Sequence, residues 1–376
     1  MIYVVKRGDT LSAISRRFGV GVETLVWMNQ IPNPDVLVEG QALLVMNQIQ
    51  SGPWTKLVNG YAYPFISPWV LRQTLPFLNQ LSAFSYGFTP EGNLIPPLIG
   101  DRRMVNRAAE GGVSSALVLT SLDENGIFSN YLISRLLASV SAQVRLLDNV
   151  QAQMEALGYE ELNIDFEYIL PEDRDRFSAF VARAAEMLPQ TVSVCLAPKV
   201  RRDQRGLLYE GKDFAALGQA ADRVLLMTYE WGYKYGPPMA VAPIGSVRRV
   251  VEYAVSEIAP EKIALGLANY GYDWPTPFVR GQTVARTIGS IEAVELARRK
   301  RTNIIFDNPS QSPWFQYTEN GIRHVVWFED VRSWQGKIDL VQEFGLAGVG
   351  IWTVMNLNRP GLLLLRERFQ NGQSIL

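Results

Sequence analysis

The feature that most constrains the fold is a repeated alternation of short apolar runs and amphipathic stretches, from about residue 57 onward. The apolar runs have the composition of buried strands, and they begin near Gly60, Ser82, Leu117, Glu161, Thr191, Arg223, Lys262 and Gly348. Helical patterns such as 129–156, 173–187 and 245–258 lie between them. Eight successive β-α units predict an α/β fold of the closed (β/α)8 TIM barrel type rather than an open doubly wound sheet.

The interval before the last strand is too long for a single helix. Residues 276–332 contain the strand-like runs IIFDNP, PWFQYT and HVVWFED around a helix expected at Ile291–Arg301. We therefore expect a small α+β subdomain, inserted after the seventh strand, that forms one wall of a cleft.

Residues 1–46 have the pattern of a separate β-α-α-β unit, joined by a polar linker at 47–56 to a domain covering 57–376. Any small domain of this kind would fit the periodicity alone. The run from Val4 to Val45, however, resembles the LysM module over nearly its whole length. That resemblance implies binding to peptidoglycan or chitin, polymers that contain N-acetylglucosamine. The contacts it implies come from two loops, with Gly8, Asp9 and Thr10 in the first and Asn33 and Pro34 in the second.

Composition excludes several kinds of chemistry. Lysine and arginine number 36 against 37 acids, which gives no reason to expect nucleic acid or an anionic membrane as partner. A single cysteine, Cys195, and a single histidine, His324, leave no disulfide, thiolate metal cluster or zinc site, and we interpret His324 as a packing residue. We expect no metal and no cofactor, no membrane span and no signal peptide, with synthesis in the cytoplasm. Catalysis by the carboxylates of Asp and Glu side chains is the kind of chemistry that remains.

The fourth strand supplies carboxylates in a regular pattern. Residues 162–167 alternate apolar and polar side chains, which places Asn163, Asp165 and Glu167 on one face. In a barrel this face points inward, and Glu167 comes last, at the carboxyl rim where barrel active sites lie. A buried structural network is the alternative interpretation of the same alternation.

The segment resembles the signature D-G-x-D-x-D-x-E of the family-18 glycoside hydrolases. Asp165 and Glu167 match its last Asp and its Glu, whereas Glu160-Glu161 replaces the opening Asp-Gly and Asn163 replaces the middle Asp. Three further matches are Met227-Thr228-Tyr229, Gly350-Ile351-Trp352 and Gly60-Tyr61. Ordinary core packing would explain each aromatic residue taken singly, but together they favour a sugar platform.

The resemblance implies a role for each matching residue. Glu167 would act as acid and then base, Asp165 would orient the substrate acetamide, and Tyr229 would bind the acetamide carbonyl. The negative charge of Asp165 is expected to keep Glu167 protonated. Further substrate contacts are expected at Trp352, Asn163, Met227, Tyr61, Glu230 and Asn269.

The runs NIDFE, MTYEWGYKYGPP, NYGYDW and HVVWFED, following a LysM module, resemble the spore-associated branch of that family, the cortical-fragment-lytic N-acetylglucosaminidases. This resemblance implies retaining, acetamide-assisted hydrolysis of β-1,4 bonds in spore cortex peptidoglycan. It also implies a location at the spore coat, the cortex or the cell wall, and we expect a monomer. A chitinase, a lectin that binds without cutting, and a structural coat protein remain alternatives.

Overall fold

The computed structural model describes residues 1–48 and 52–370, so residues 49–51 of the predicted linker at 47–56 lie outside the described residues. Eight parallel strands form a ring, and they are, in chain order, Leu57–Ala62, Gln80–Phe88, Ser114–Thr120, Glu161–Asp165, Thr191–Leu196, Arg223–Leu226, Ile263–Ala268 and Gly348–Trp352. The eighth strand pairs with the first, and the first pairs with the second, which closes the barrel. The predicted (β/α)8 TIM barrel is therefore confirmed.

Helices follow the barrel strands and cover their outer face. They are Pro68–Thr74, Arg102–Glu110, Asn130–Leu137, Val140–Leu157, Arg174–Met187, Phe214–Ala220, Ile244–Glu257, Val331–Glu343 and Arg359–Phe369. Short 3-10 turns lie at Leu75–Phe77, Pro171–Asp173 and Pro260–Lys262, and the two-residue strand Leu94–Ile95 pairs with the second barrel strand. The amphipathic stretch 129–156 contains two helices, because Ser139 accepts a hydrogen bond from the Ala142 amide at 3.3 Å and caps a new helix there.

The fourth barrel strand separates its two faces as alternation requires. Phe166, immediately after the strand, points outward and stacks on Phe177 and Phe180 of the following helix, with ring centroids 5.9 and 5.8 Å apart. All three rings are fully buried, and each contributes about 2–3 kcal/mol of burial free energy. Asn163 lies on the opposite face, inside the barrel, where it contacts Tyr61 of the first strand.

The insertion after the seventh strand is a five-stranded antiparallel sheet with one helix, Ser290–Lys300. Its strands are Gly271–Thr276, Arg286–Ile288, Ile305–Asp307, Ser312–Glu319 and Ile322–Trp327. The sheet therefore begins before the expected start at about residue 276. Its first strand follows the seventh barrel strand after only two residues, so the two apolar runs are continuous in the sequence.

The N-terminal module has the β-α-α-β order. Strands Ile2–Val4 and Ala42–Leu44 pair antiparallel around helices Leu11–Phe18 and Val22–Asn29. A small core of its own includes Leu11, Ile14, Leu25 and Leu43. On its other side Met28 and Leu44 are buried in the apolar core that the module shares with the barrel.

Polar contacts fix the module against the barrel domain. The Arg359 guanidinium donates to the Trp27 carbonyl at 2.8 Å and lies 4.7 Å from the centroid of the Trp27 ring. The Ile304 amide donates to the Glu39 carbonyl at 2.9 Å, and Arg332 donates to the Gly40 carbonyl at 3.1 Å. The module is therefore docked against both the last barrel helix and the inserted subdomain.

Candidate active site

A cavity of about 360 Å³ lies at the carboxyl ends of the barrel strands. Six residues singled out in the sequence line it: Asp165, Glu167, Met227, Tyr229, Glu230 and Trp352. The remaining lining residues were not anticipated and are Tyr63, Phe84, Phe128, Pro198, Leu208, Tyr209 and Trp231. Three carboxylates, those of Asp165, Glu167 and Glu230, thus share an aromatic cavity, and carboxylates in such a cavity can carry out acid–base chemistry on a sugar.

Asp165 is the buried member of the carboxylate pair. Burial, and after it the negative charge of Glu167, raises its pKa to about 7, while Lys212 and the Cys195 thiol act in the opposite direction. Its Oδ1 atom is buried and has no hydrogen-bond partner among the described residues. The sequence suggested that Asp165 keeps Glu167 protonated. In the structure the raised pKa belongs instead to Asp165.

Asn163 and Tyr61 lie below the cavity and do not line it. The Tyr61 hydroxyl donates to Asn163 Oδ1 at 3.1 Å, and Asn163 Nδ2 donates to Ser193 Oγ at 2.7 Å. The Cys195 thiol donates to the same Oδ1 at 3.4 Å. These hydrogen bonds satisfy the polar atoms of the buried Asn163 amide. Asn163 and Tyr61 therefore support the floor of the site rather than contacting a bound ligand.

Trp352 is held by a cluster of aromatic rings. Phe84 lies 4.8 Å from it at an interplanar angle of 75°, Tyr61 lies at 5.8 Å and Tyr63 at 6.2 Å. Such tilted and edge-on contacts fix the indole where it lines the cavity. Tyr63 could have been found from the sequence, because it follows Tyr61 by two residues and continues the alternation of the first strand. Phe84 gives no comparable signal.

Glu230 connects the cavity to the inserted subdomain. Its carboxylate accepts hydrogen bonds from the hydroxyls of Tyr270 and Tyr272, the second at 2.8 Å. Burial raises the pKa of Glu230 and also that of the neighbouring Tyr229. Glu230 has a positive φ of 66°, an uncommon conformation for a residue with a side chain, which the two tyrosines hold in place.

Asn269, expected as a substrate contact, does not line the cavity. Its Nδ2 donates to the carbonyls of Thr353 and Asn356 at 2.9 Å each, and its Oδ1 accepts from Asn358 at 3.0 Å. The side chain therefore holds the segment that follows Trp352. A polar residue at a strand end has the same sequence signature in either role.

His324 lies in the subdomain sheet, outside the cavity. Its Nδ1 is 2.8 Å from Asp273 Oδ1, and its ring stacks on Tyr317. Across residues 1–48 and 52–370, no group of three or more His, Cys, Asp or Glu side chains is arranged to hold a metal ion. In the same residues, no helix has the length and apolar character needed to cross a membrane.

The residues singled out in the module occupy different positions. Gly8 and Asp9 line a groove of about 310 Å³, which the end of the subdomain helix borders on its other side. Asp9 accepts from the Tyr3 hydroxyl at 2.7 Å, and Thr10 caps the first helix by accepting from the Ala13 amide at 3.2 Å. Asn33 accepts from the Asp35 amide at 3.0 Å. Thr10, Asn33 and Pro34 do not line this groove.

Comparison with known proteins agrees with this geometry. The LysM domain matches residues 3–45, and glycosyl hydrolases family 18 matches residues 125–356. The cortical fragment-lytic enzyme of Bacillus subtilis is 33% identical to this chain, over 98% of both chains. The cortical fragment-lytic enzyme of Bacillus anthracis is 40% identical, over 75% of this chain and 66% of the Bacillus anthracis chain. The crystal structure of the Bacillus cereus spore cortex-lytic enzyme SleL superposes with a TM-score of 0.81 at 35% identity, covering 99% of this chain and 88% of that one. The chain thus belongs to glycosyl hydrolases family 18, as the residues of its fourth strand suggested.

Proposed function

We propose that this chain hydrolyses β-1,4 bonds beside N-acetylglucosamine in fragments of spore cortex peptidoglycan. The observation that carries the proposal is Asp165 Oδ1, a buried oxygen of a residue that lines the cavity, which has no hydrogen-bond partner among the described residues. Leaving such an acceptor unsatisfied costs about 1–3 kcal/mol, more when it is charged. The acetamide N–H of a bound N-acetyl sugar is a donor that would satisfy it.

The proposed chemistry uses the acetamide of the substrate as the nucleophile, an exception to the usual scheme with two catalytic carboxylates. Glu167 protonates the glycosidic oxygen while the acetamide carbonyl oxygen bonds to the anomeric carbon, and the leaving sugar departs. Asp165 accepts the acetamide N–H and stabilises the oxazolinium cation that forms. Glu167 then removes a proton from water, which opens the ring with retained configuration.

Two residues of the cavity position the sugar in this scheme. Tyr229 donates its hydroxyl proton to the acetamide carbonyl oxygen, and burial keeps this phenol protonated by raising its pKa. Trp352 stacks under the sugar ring, supported by the aromatic cluster around it. Glu230, fixed by its two tyrosines, presents a polar group to the same ligand.

The substrate class is inferred from the relatives and from the module. The relatives from Bacillus subtilis and Bacillus anthracis are named cortical fragment-lytic enzymes, and this chain carries a LysM module docked to its barrel domain. We infer association with the spore coat, the cortex or the cell wall, and action as a monomer. The single module raises the local concentration of glycan at the barrel without adding avidity between modules.

Digestion of purified cortex fragments, followed by mass spectrometry of the products, tests the proposal, with N-acetylchitooligosaccharides as the parallel substrate. We expect cleavage at N-acetylglucosamine in the peptidoglycan sample. Glu167→Gln, which keeps the shape of the side chain but cannot donate the proton, is the matched control. Cleavage of chitin oligosaccharides alone would identify a chitinase. Binding without cleavage would identify a lectin or a coat protein.

A further inference from the structure

Lys212, which has no role in the proposed mechanism, is buried near Asp165 and Glu167. Lys212 is 1% exposed, and its Nζ donates to the Cys195 carbonyl at 2.7 Å. Cys195 lies on the fifth strand, where the preceding residue, Val194, pairs with Ile164 of the fourth strand. The ammonium is therefore anchored at the level of Asp165, which directly follows Ile164.

The segment that carries Lys212 is held tightly in this position. A Cβ atom at Gly211 would lie 2.3 Å from the Ile169 carbonyl oxygen, so the backbone packs directly against the chain that leaves Glu167. Lys199 donates to the Lys212 carbonyl at 3.1 Å, and Asp213 caps the next helix by accepting from the Ala216 amide at 3.1 Å. These contacts fix where the lysine enters the barrel.

Lys212 has no directly contacting acid. Among the described residues, none of the ion pairs within 4.0 Å includes it, whereas the equally buried Lys337 pairs with Glu329 at 2.6 Å. A buried ammonium with a peptide carbonyl as its partner is costly unless negative charge lies nearby. Burial lowers the pKa of Lys212, and Asp165, Glu167 and the Cys195 thiol act against that effect, in this order.

Lys212 differs in charge from the other groups that affect the pKa of Asp165. Tyr61, Tyr63, Tyr229 and Cys195 interact with Asp165 electrostatically, and burial raises the pKa of all four, so they stay neutral near pH 7. Glu167 is the other acid of the pair, and Asn163 below it has no titrating group. Among the described groups that affect Asp165, Lys212 supplies the positive charge.

We propose that Lys212 is the counter-charge that sets the pH range in which the Asp165–Glu167 pair is singly protonated. The inference rests on the proposed function, because the singly protonated pair is the form that has both an acid and an orienting anion. Lys212 touches no substrate in this scheme and acts through the carboxylates, as a positioning residue. A positive charge stabilises each ionised form of the pair, so it lowers both pH limits of activity.

The test is the pH dependence of kcat/KM for Lys212→Met on soluble N-acetylated glycan. Both limbs of the profile should move to higher pH by about one unit, which is about a tenfold loss on the acidic side. Lys212→Arg, which keeps the charge, should retain the wild-type limbs. Lys262→Met is the matched control, because this lysine also donates to peptide carbonyls, those of Gly218 at 3.0 Å and Ala221 at 2.8 Å, and makes no hydrogen bond to the Lys212 segment.

A pH profile whose limbs do not move in Lys212→Met, with activity reduced equally at every pH, would overturn the proposal and leave a packing role.

A second measurement is independent of turnover and of any change at Lys212. The Lys212 Nζ is titrated by NMR in ¹⁵N-lysine protein, in the wild type and in Glu167→Gln. Removing the Glu167 charge should lower the pKa of Lys212 by about one unit, since the coupling is reciprocal. An unchanged pKa would refute the coupling, whereas absence of any hydrolysis by the wild type would refute only the proposed function.

Discussion

Replacing Asp165 by asparagine is expected to stabilise the fold at neutral and alkaline pH while it removes activity. Burial and the charge of Glu167 raise the pKa of Asp165 from 3.8 to about 7. Between these values the folded chain keeps a proton that the unfolded chain has lost. The free energy of unfolding therefore falls as pH rises, by about 1.4 kcal/mol per pH unit.

The magnitude follows from the width of that interval. About three pH units correspond to a penalty of about 4 kcal/mol at pH 8, which is an upper limit because the pair shares its proton and the surrounding protein relaxes. Asparagine has nearly the same volume and no charge, so Asp165→Asn avoids this penalty. Its advantage should be largest above pH 7 and should be nearly gone at pH 4, where the folded side chain is protonated and pH is close to the unfolded-state pKa of 3.8.

Urea denaturation of both proteins at pH values from 4 to 8.5 measures this difference, with the hydrolysis assay run in parallel. Asp101→Asn is the matched control, because this buried aspartate accepts hydrogen bonds from the hydroxyls of Tyr86, at 2.5 Å, and Tyr159. Replacing it weakens two bonds, so the control should lose stability at every pH. An Asp165→Asn protein that is no more stable than the wild type at pH 8 would refute the reasoning, as would a gain that is equally large at pH 4.

Three further predictions concern the chemistry and the docked module. Glu167→Gln should lower kcat by about 10²–10⁴-fold without changing the melting temperature, and a collapsed melting transition would contradict a catalytic role. De-N-acetylated oligosaccharide should resist cleavage, and a thiazoline analogue of the cyclic intermediate should bind at least about 10²-fold more tightly than the product in calorimetry. Equal cleavage of both substrates would instead make Asp165 a candidate covalent nucleophile. Arg359→Ala should lower the free energy of unfolding by about 1–3 kcal/mol in urea, because Trp27 and Gln73 lose their hydrogen bonds to it. An unchanged unfolding curve would show that this contact contributes nothing.

The barrel and the carboxylates could be predicted because both depend on local periodicity. Alternation in residues 162–167 fixes which side chains face inward, and the eight repeats fix the closed sheet. The same periodicity cannot separate a cavity wall from its support. Tyr61 and Asn163 point inward as expected, but they are hydrogen-bonded to each other below the cavity. Depth along the barrel axis depends on the register between strands, which the sequence of one strand does not contain.

Long-range contacts account for what the sequence could not provide. Lys212 appears in the sequence as an ordinary charged residue between a glycine and an aspartate, and only packing against the fifth strand buries it. Glu230 follows Tyr229 in the sequence, but its partners, Tyr270 and Tyr272, come from the inserted subdomain. Neither environment has a local signature, because each depends on residues that are distant in the chain.

The docking of the module changes how its contribution can be measured. Its own core makes residues 1–46 look separable, yet Met28 and Leu44 are completely or almost completely buried in the core shared with the barrel. Removing the module would expose this shared surface and leave the Arg359 guanidinium without the Trp27 carbonyl. Weaker action on insoluble glycan after truncation would then combine lost affinity with lost stability. A substitution of the exposed Arg7, on the module's side of the groove, separates the two effects because it removes neither the Trp27–Arg359 nor the Glu39–Ile304 hydrogen bond.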